Sequence, residues 1–179
     1  MIRRQISARG GILVGHDGSR TADRALRTAV RLAAGFGARV TVVRVWDLTS
    51  APRPDSWRPG FVPPLEDFAA ATQAALDRDV ARVRAPQNVT ITAHVVHGNA
   101  AGLLIEASRH VDLIVVGSRG RGGFAGLNLG SVSERVVRHS ACPVLVDRGE
   151  GDISSDADTD HTMEVALLSE LSMDGDRAP

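Results

Sequence analysis

The sequence predicts an α/β domain in which a parallel β-sheet is covered by helices on both faces. Short apolar, β-branched runs such as residues 11–15 and 112–116 alternate with longer segments whose apolar residues recur every three or four positions. The short runs suit strands that are buried on both sides. Regular alternation of strands and helices implies right-handed crossovers and parallel strands, and such sheets bind ligands where their strands end.

The first half of the chain contains two strands and the first helix. Residues 11–15 form the first predicted strand, which ends at His16-Asp17-Gly18-Ser19, and a helix begins at about Arg20. Its apolar positions keep helical spacing, and Gly35 and Gly37 are expected to end it. Residues 39–46 form the second strand, and the prolines at positions 52, 54, 59, 63 and 64 predict a long irregular connection.

The second half continues the alternation. Pro64 suits the first position of the longest helix, which is expected to end near Ala85-Pro86. Residues 89–96 alternate as a strand, and Asn99 can cap the helix that carries Leu103, Leu104 and Ala107. A strand at 112–116, a glycine-rich loop, a helix and a strand at 144–146 complete the domain.

The glycine-rich loop after the strand at 112–116 is the most informative stretch. Gly117-Ser118-Arg119-Gly120 is followed, after nine intervening residues, by Gly130-Ser131. Glycine lets backbone N–H groups approach an anion closely, and a helix start adds unpaired N–H groups and a positive dipole. The pattern therefore indicates a phosphate-binding loop.

The helix after this loop carries a sequence typical of a capping box, Ser131-Val132-Ser133-Glu134. In this interpretation the Ser131 hydroxyl accepts the Glu134 backbone N–H and donates its own proton to a phosphate oxygen. The sequence therefore predicts a helix that begins at Ser131, with a cap that does not compete with the ligand.

Composition excludes several classes of site. All 21 basic residues are arginine, so a Walker-type phosphate loop and a lysine Schiff base are both excluded. The single cysteine, Cys142, cannot form a disulfide within the chain. No apolar run approaches the length of a membrane span and the N-terminus lacks a signal-peptide core, so a cytoplasmic protein is predicted.

Charge is distributed unevenly along the chain. Residues 150–179 hold nine acidic side chains against Arg177, which gives this segment a net charge of −8 and the remainder +8. Nucleic-acid binding is not favoured, because the arginines are spread over several helices and aromatic residues make up only 3%. The acidic segment suits a disordered tail, or a short helix that binds a protein partner. It lacks the glycine and glutamate of a calcium loop, so no metal site is predicted.

The glycine loop resembles, in residue types and spacing, the loop of the ATP-binding branch of the universal stress protein family. Five further stretches match that family in order: Ile12 to Ser19, Val45-Trp46-Asp47, Gly98-Asn99-Ala100, Val111 to Gly117, and Cys142 to Val146. The resemblance implies a domain at 9–148, between a flexible N-terminus at 1–8 and the tail at 149–179.

The resemblance implies an open five-stranded parallel sheet in the order 3-2-1-4-5, a Rossmann-like fold of the adenine nucleotide alpha hydrolase type. This order places the first and fourth strands side by side, so that the loops carrying Asp17 and Gly117 face one crevice. Members of the family usually dimerise through the last strand, so a homodimer through Val144, Leu145 and Val146 is also implied.

The ligand implied by the resemblance is ATP or another adenine nucleotide, with Mg²⁺ as its counter-ion. Asp17 is expected at the nucleoside end, Val45 beside the adenine, and Val116 and Gly117 along the base and ribose. The phosphates are expected at the loop and the helix start, with Arg119 alongside. The complete set of implied residues is Gly15, His16, Asp17, Val45, Val116, Gly117, Arg119, Gly120, Gly130, Ser131, Val132 and Ser133.

Three of these residues have structural alternatives. Asp17 can turn the chain before the first helix, and Arg119 can be a solvated charge. His16, where the family commonly has a small or aliphatic residue, can be a hydrogen-bonded packing residue.

Two functions follow from these observations. The favoured one is a nucleotide-dependent regulator with at most slow ATP hydrolysis, because the sequence shows no positioned base, no paired acids and no Walker lysine. The alternative is a dimeric scaffold that binds no nucleotide and recruits a protein partner through the tail or the proline-rich loop.

Overall fold

The computed structural model describes residues 2–120 and 129–148, which form an alternating series of strands and helices. The strands are β1 (Ile12–Gly15), β2 (Val40–Trp46), β3 (Ile91–His97), β4 (Leu113–Gly117) and β5 (Val144–Asp147). The helices are α1 (Arg20–Phe36), α2 (Leu65–Ala81), α3 (Ala100–Ala107) and α4 (Ser131–His139). The alternation predicted from the apolar periodicity is confirmed in type and order.

All five strands are parallel and lie in one sheet, in the order β3-β2-β1-β4-β5. Ile12 of β1 aligns with Val40 on one side and with Leu113 on the other. The order reverses at β1, where the loops after β1 and β4 open a crevice at the carboxyl edge. The predicted fold class and strand order are therefore confirmed.

The core consists of two apolar clusters, one on each face of the sheet. Val14 of β1 packs with α1 and α2, whereas the adjacent Leu13 packs with α3 and α4. Successive strand residues point to opposite faces, which explains why β1 is apolar at every position. Complete burial of each such side chain contributes about 1.5–3 kcal/mol.

Helix α1 is bounded by two caps of different kinds. The Ser19 side chain accepts the Ala22 backbone N–H at the start, and Gly37 adopts a left-handed φ of 64° at the end. Gly35 lies inside the helix. The prediction that both glycines stop the helix is therefore wrong for Gly35, because only Gly37 adopts the left-handed conformation that ends it.

The boundaries of α2 and β3 differ from the predicted ones. Pro64 is the residue before the first helical position, and α2 ends at Ala81 instead of near Ala85-Pro86. The Arg82 backbone N–H donates to the Asp79 carbonyl, which tightens and closes the last turn. Val89 donates to Pro86 in a turn, so β3 begins two residues later than expected, at Ile91.

The N-terminus expected to be flexible contacts the domain in its described part. The His97 backbone N–H donates to the Arg3 carbonyl at 2.9 Å, so this segment satisfies a donor on edge strand β3. Ile6 packs against the apolar cluster on the α3 and α4 face, and Ala8 is buried.

The tail at 149–179 lies outside the described residues, so its disorder and its role toward a partner stay predictions.

Among residues 2–120 and 129–148, none of the helices has the length and apolar character needed to cross a membrane.

Replacement of Gly11 by alanine is expected to destabilise the domain by about 2–3 kcal/mol. Gly11 has a φ of 69°, and a Cβ there would lie 2.6 Å from the Arg39 backbone oxygen. The matched control is Gly35→Ala, since a Cβ there meets nothing within 4 Å and Gly35 lies in a helix. The control is expected to gain about 0.5–1 kcal/mol. Urea denaturation measures both, and equal stability of the two variants would contradict this account of Gly11.

Candidate functional site

A cavity of about 730 Å³ opens at the carboxyl ends of β1, β2 and β4. Its lining includes every residue predicted for the site: Gly15, His16, Asp17, Val45, Val116, Gly117, Arg119, Gly120, Gly130, Ser131, Val132 and Ser133. The reversal of strand order therefore brings two segments about 100 positions apart to one place. Their role toward a ligand stays a prediction at this point.

Glycine is required at position 117 because α1 approaches the loop closely. A Cβ there would lie 2.7 Å from the Thr21 hydroxyl and 2.8 Å from the Thr21 backbone carbon. The Thr21 hydroxyl donates to the Arg119 carbonyl, and the Ser19 hydroxyl lies 3.4 Å from the same oxygen. The first turn of α1 thereby holds the beginning of the glycine loop.

The far end of the loop returns to its beginning. The Gly130 backbone N–H donates to the Ser118 carbonyl at 2.7 Å. A Cβ at Gly120 would lie 2.7 Å from the Asp17 Oδ2, so the carboxylate contacts this glycine closely. The residues between, 121–128, lie outside the described part of the chain.

Helix α4 begins at Ser131 as predicted, but the predicted capping box is wrong. Gly130 is the N-cap and makes no side-chain cap, and the Glu134 N–H donates to the Gly130 carbonyl. Ser131 is already the first helical residue, one position too late to cap. The hydroxyl of Ser133 instead lies 3.0 Å from the Ser118 carbonyl and 2.9 Å from that of Gly130.

The first backbone N–H groups of α4 have no hydrogen-bond acceptor within the helix. The first hydrogen bond of the helix joins the Glu134 N–H to the Gly130 carbonyl. The N–H groups of Ser131, Val132 and Ser133 come before it in the chain and are therefore not part of the regular helical hydrogen bonding. All three residues line the cavity, and the helix dipole places partial positive charge there. This arrangement suits an anion.

Asp17 combines a turn role with a position in the cavity. Its Oδ1 accepts the Ser19 backbone N–H at 3.0 Å, which is the predicted structural alternative, and Oδ2 faces Gly120. Because the turn occupies one carboxylate oxygen, it leaves the second oxygen oriented toward the glycine loop. The two roles are therefore compatible.

His16 is a buried, fully hydrogen-bonded residue. Its Nδ1 lies 2.8 Å from Arg44 Nη2, and its Nε2 lies 3.0 Å from Asp23 Oδ1. A guanidinium can only donate, so Nδ1 accepts and Nε2–H donates to the carboxylate, which describes a neutral ring. Burial and then the Arg44 charge lower the pKa of His16, against the opposing effect of Asp23.

Arg44 is the principal residue of the cavity wall that sequence reasoning missed. It is 7% exposed, and its guanidinium donates to the His16 carbonyl at 3.2 Å and to Asp79 Oδ2 at 2.7 Å. Burial raises the pKa of Asp79, but the hydrogen bond and charge of Arg44 outweigh burial and lower it. The available sequence signal was a lone charged residue within the apolar run of β2.

The same cluster has the spacing of a metal site, but it already contains a cation. His16, Asp23 and Asp79 offer ligand atoms within 4.8 Å of one another. The Arg44 guanidinium bonds to both His16 and Asp79, so it supplies the positive charge that would otherwise come from a metal ion. We therefore assign a structural role to this cluster.

The free energy of unfolding is expected to fall as the pH decreases from about 6.5. A histidine whose folded pKa is lowered binds fewer protons in the folded state, so stability is full above the unfolded pKa and decreases on acidification. Asp23, Arg44 and Asp79 face this ring, and His16→Gln can keep its hydrogen bonds without titrating.

Urea denaturation between pH 5 and pH 8 is expected to show a shallower pH dependence for H16Q than for the wild type. Burial and then the Arg3 charge also lower the pKa of His94, so H94Q should remove a further part of the pH dependence. The control is H139Q, since His139 is exposed. An H16Q profile that coincides with the wild type would contradict the neutral assignment.

Comparison with known proteins identifies relatives of the domain. A universal stress protein of Thermus aquaticus is 35% identical over 145 residues, which cover 76% of this chain and 97% of that protein. Universal stress protein Rv2623 of Mycobacterium tuberculosis is 34% identical over 137 residues, 76% of this chain and 44% of the relative. The chain thus spans less than half the length of the mycobacterial relative.

A solved structure supports the same relationship. The universal stress protein UspA from Lactobacillus plantarum aligns with a TM-score of 0.57 and 28% identity, over 79% of this chain and 100% of that one. The model of the Universal stress protein family matches residues 10–148, which include all five strands and the described cavity lining. The chain therefore belongs to the universal stress protein family.

Proposed function

We propose that the protein binds an adenine nucleotide, with ATP as the favoured ligand, and acts as a nucleotide-dependent regulator. The observation that carries the proposal is the start of α4, which lacks a side-chain cap and whose first residues line the cavity beside Gly120 and Gly130. Backbone donors at a helix start form a ready anion site. The cavity volume of about 730 Å³ lies within the usual range for small-molecule sites.

The phosphate half of the proposed site is the loop and the start of α4. Gly120 and Gly130 line the cavity without a Cβ, and Ser131, Val132 and Ser133 provide N–H donors. The Ser131 hydroxyl is released from capping, so it can donate to a phosphate oxygen. Arg119 also lines the cavity and adds a cation at this end.

The nucleoside half of the proposed site is formed by the ends of β1, β2 and β4. Val45 and Val116 provide apolar walls for the base, and the Asp17 carboxylate can accept from a ribose hydroxyl. His16 and Gly15 complete this wall, and both ring nitrogens of His16 are engaged by Asp23 and Arg44.

The described residues support slow hydrolysis at most. Among those that line the cavity, the Asp79 oxygens bond to Arg44 and Arg82, and both ring nitrogens of His16 are engaged. Asp17 has one oxygen in a turn. None of these groups is therefore placed as a free base for an attacking water. In this proposal Mg²⁺ enters only as the counter-ion of the ATP phosphates.

We also propose a homodimer through β5. This strand is the last of the sheet and pairs with β4 alone among the described strands. The nearby α4 exposes Val132 and Val137. Pairing of two β5 edges would satisfy the open backbone groups of the edge and would cover apolar surface.

Replacement of Gly130 by leucine is expected to weaken ATP binding by about tenfold or more, because the side chain would occupy the phosphate approach. Gly130 has a φ of −74°, which leucine adopts freely, and a Cβ there meets ordinary contacts at 3.5 Å. The variant should therefore keep its fold, as a thermal melt would show. Gly35→Leu, on the exposed part of α1, is the matched control and should bind ATP like the wild type.

Tryptophan fluorescence offers a direct measure of binding. Trp46 is 2% exposed and lines the cavity, and Trp57 is the only other tryptophan. In a Trp57→Phe background, ATP titrations with and without Mg²⁺ therefore report on the cavity wall. Absence of saturable binding below millimolar ATP, or unchanged affinity in G130L, would overturn the proposal and favour the scaffold alternative.

A further inference from the structure

The cavity extends beyond the proposed nucleotide residues to helix α2. Its lining there includes Ala75, Arg78, Asp79 and Arg82. The family-type site accounts for the loop, the start of α4 and the ends of β1, β2 and β4. The α2 side of the same cavity is therefore unassigned.

Excess positive charge lies on this α2 side. Near the glycine loop, the cationic Arg119 is accompanied by the Asp17 carboxylate. On the α2 side the lining carries three guanidinium groups and one carboxylate, those of Arg44, Arg78, Arg82 and Asp79. The Asp23 carboxylate adjoins this group through its contact with His16, so the cluster keeps an excess of one positive charge. A nucleotide with all its phosphates on the glycine loop does not use this charge.

The contacts of Asp79 show why it cannot neutralise its surroundings. Its Oδ2 binds Arg44 at 2.7 Å and its Oδ1 binds Arg82 at 2.9 Å. Arg78 has no hydrogen-bond or ion-pair partner among residues 2–120 and 129–148. Arg78 lies on α2 and Arg82 follows its last residue, four positions further on, and like charges at this spacing repel each other. An anion between them would relieve that repulsion.

A continuous chain of contacts leads from the ribose end of the proposed site to these arginines. Asp17 follows His16 directly, and His16 contacts Arg44 at 2.8 Å. Arg44 contacts Asp79, which contacts Arg82. This chain of contacts begins at the loop that carries Asp17, the carboxylate proposed to bind the ribose, and ends at the arginines on the α2 side. Arginines in the last turn of a helix also offset its dipole, but that role does not require them to face a cavity.

We infer that Arg78 and Arg82 form a second anion subsite, for a nucleotide that carries a further phosphate on its ribose. The ligand class is a nucleoside 3′,5′-bisphosphate, with the 5′ phosphate on the glycine loop and the 3′ phosphate at α2. Guanidinium groups bind phosphate through paired N–H donors, which suits this assignment. The inference rests on the proposed function, because the glycine loop must hold the first phosphate.

The decisive comparison uses ADP and adenosine 3′,5′-bisphosphate, which carry the same number of phosphates in different places. The wild type should bind the bisphosphate about tenfold more tightly than ADP. In R78Q this preference should disappear, and in R82Q it should decrease. Arg78 has no partner in the described structure, so R78Q tests the subsite without breaking the Asp79 pair. Titrations at low salt with the full chain measure all six affinities.

The control variant is R84Q, because Arg84 is exposed just beyond α2 and does not line the cavity. It should retain the preference for the bisphosphate. Equal affinities of the wild type for both ligands, with saturable ADP binding, would overturn the inference and leave the proposed function intact. If R84Q lost the preference for the bisphosphate as fully as R78Q, the inference would also be overturned, since the overall positive charge of the protein would then explain the preference. Failure of the wild type to bind either ligand would overturn the proposed function as well.

Discussion

The close contact between the first turn of α1 and the loop after β4 sets the geometry of the cavity. Gly117 allows Thr21 to approach, and the hydroxyls of Ser19 and Thr21 reach the Arg119 carbonyl. Because β1 and β4 are neighbours in the sheet, this contact joins the two sides of the crevice. A side chain at position 117 would separate α1 from the loop, and the start of α4 would lose its position against Ser118.

A buried guanidinium organises the opposite wall. Arg44 connects the β1–α1 loop to α2 through the His16 carbonyl, the His16 ring and Asp79. Burial of a charge is costly unless partners satisfy it, and removal of one partner of such a pair typically costs about 3–5 kcal/mol. Gly18 has a φ of 85° and a Cβ there would lie 3.2 Å from Arg44, so a glycine also accommodates this cation.

Most of the architecture could be predicted because it depends on local patterns. The spacing of apolar residues predicted the alternation of strands and helices, and the Asn99 and Gly37 caps were predicted correctly. The errors occur at the ends of helices and at the start of β3, where one residue decides which group accepts a hydrogen bond. Gly130, not Ser131, caps α4, and Arg82 closes α2 four residues before the expected end. Both outcomes depend on backbone contacts that the residue types do not specify.

The sequence by itself determined the fold class and the element order, and it predicted an anion-binding role for the glycine loop, since periodicity and glycine spacing act over a few neighbouring residues. Strand order came from the family resemblance. Only the tertiary structure decided that Arg44 pairs with Asp79 and donates to His16, because 35 positions separate Arg44 from Asp79 in the chain. It also decided that the arginines of α2 share a cavity with the glycine loop. Such long-range contacts arise when the sheet and its helices pack.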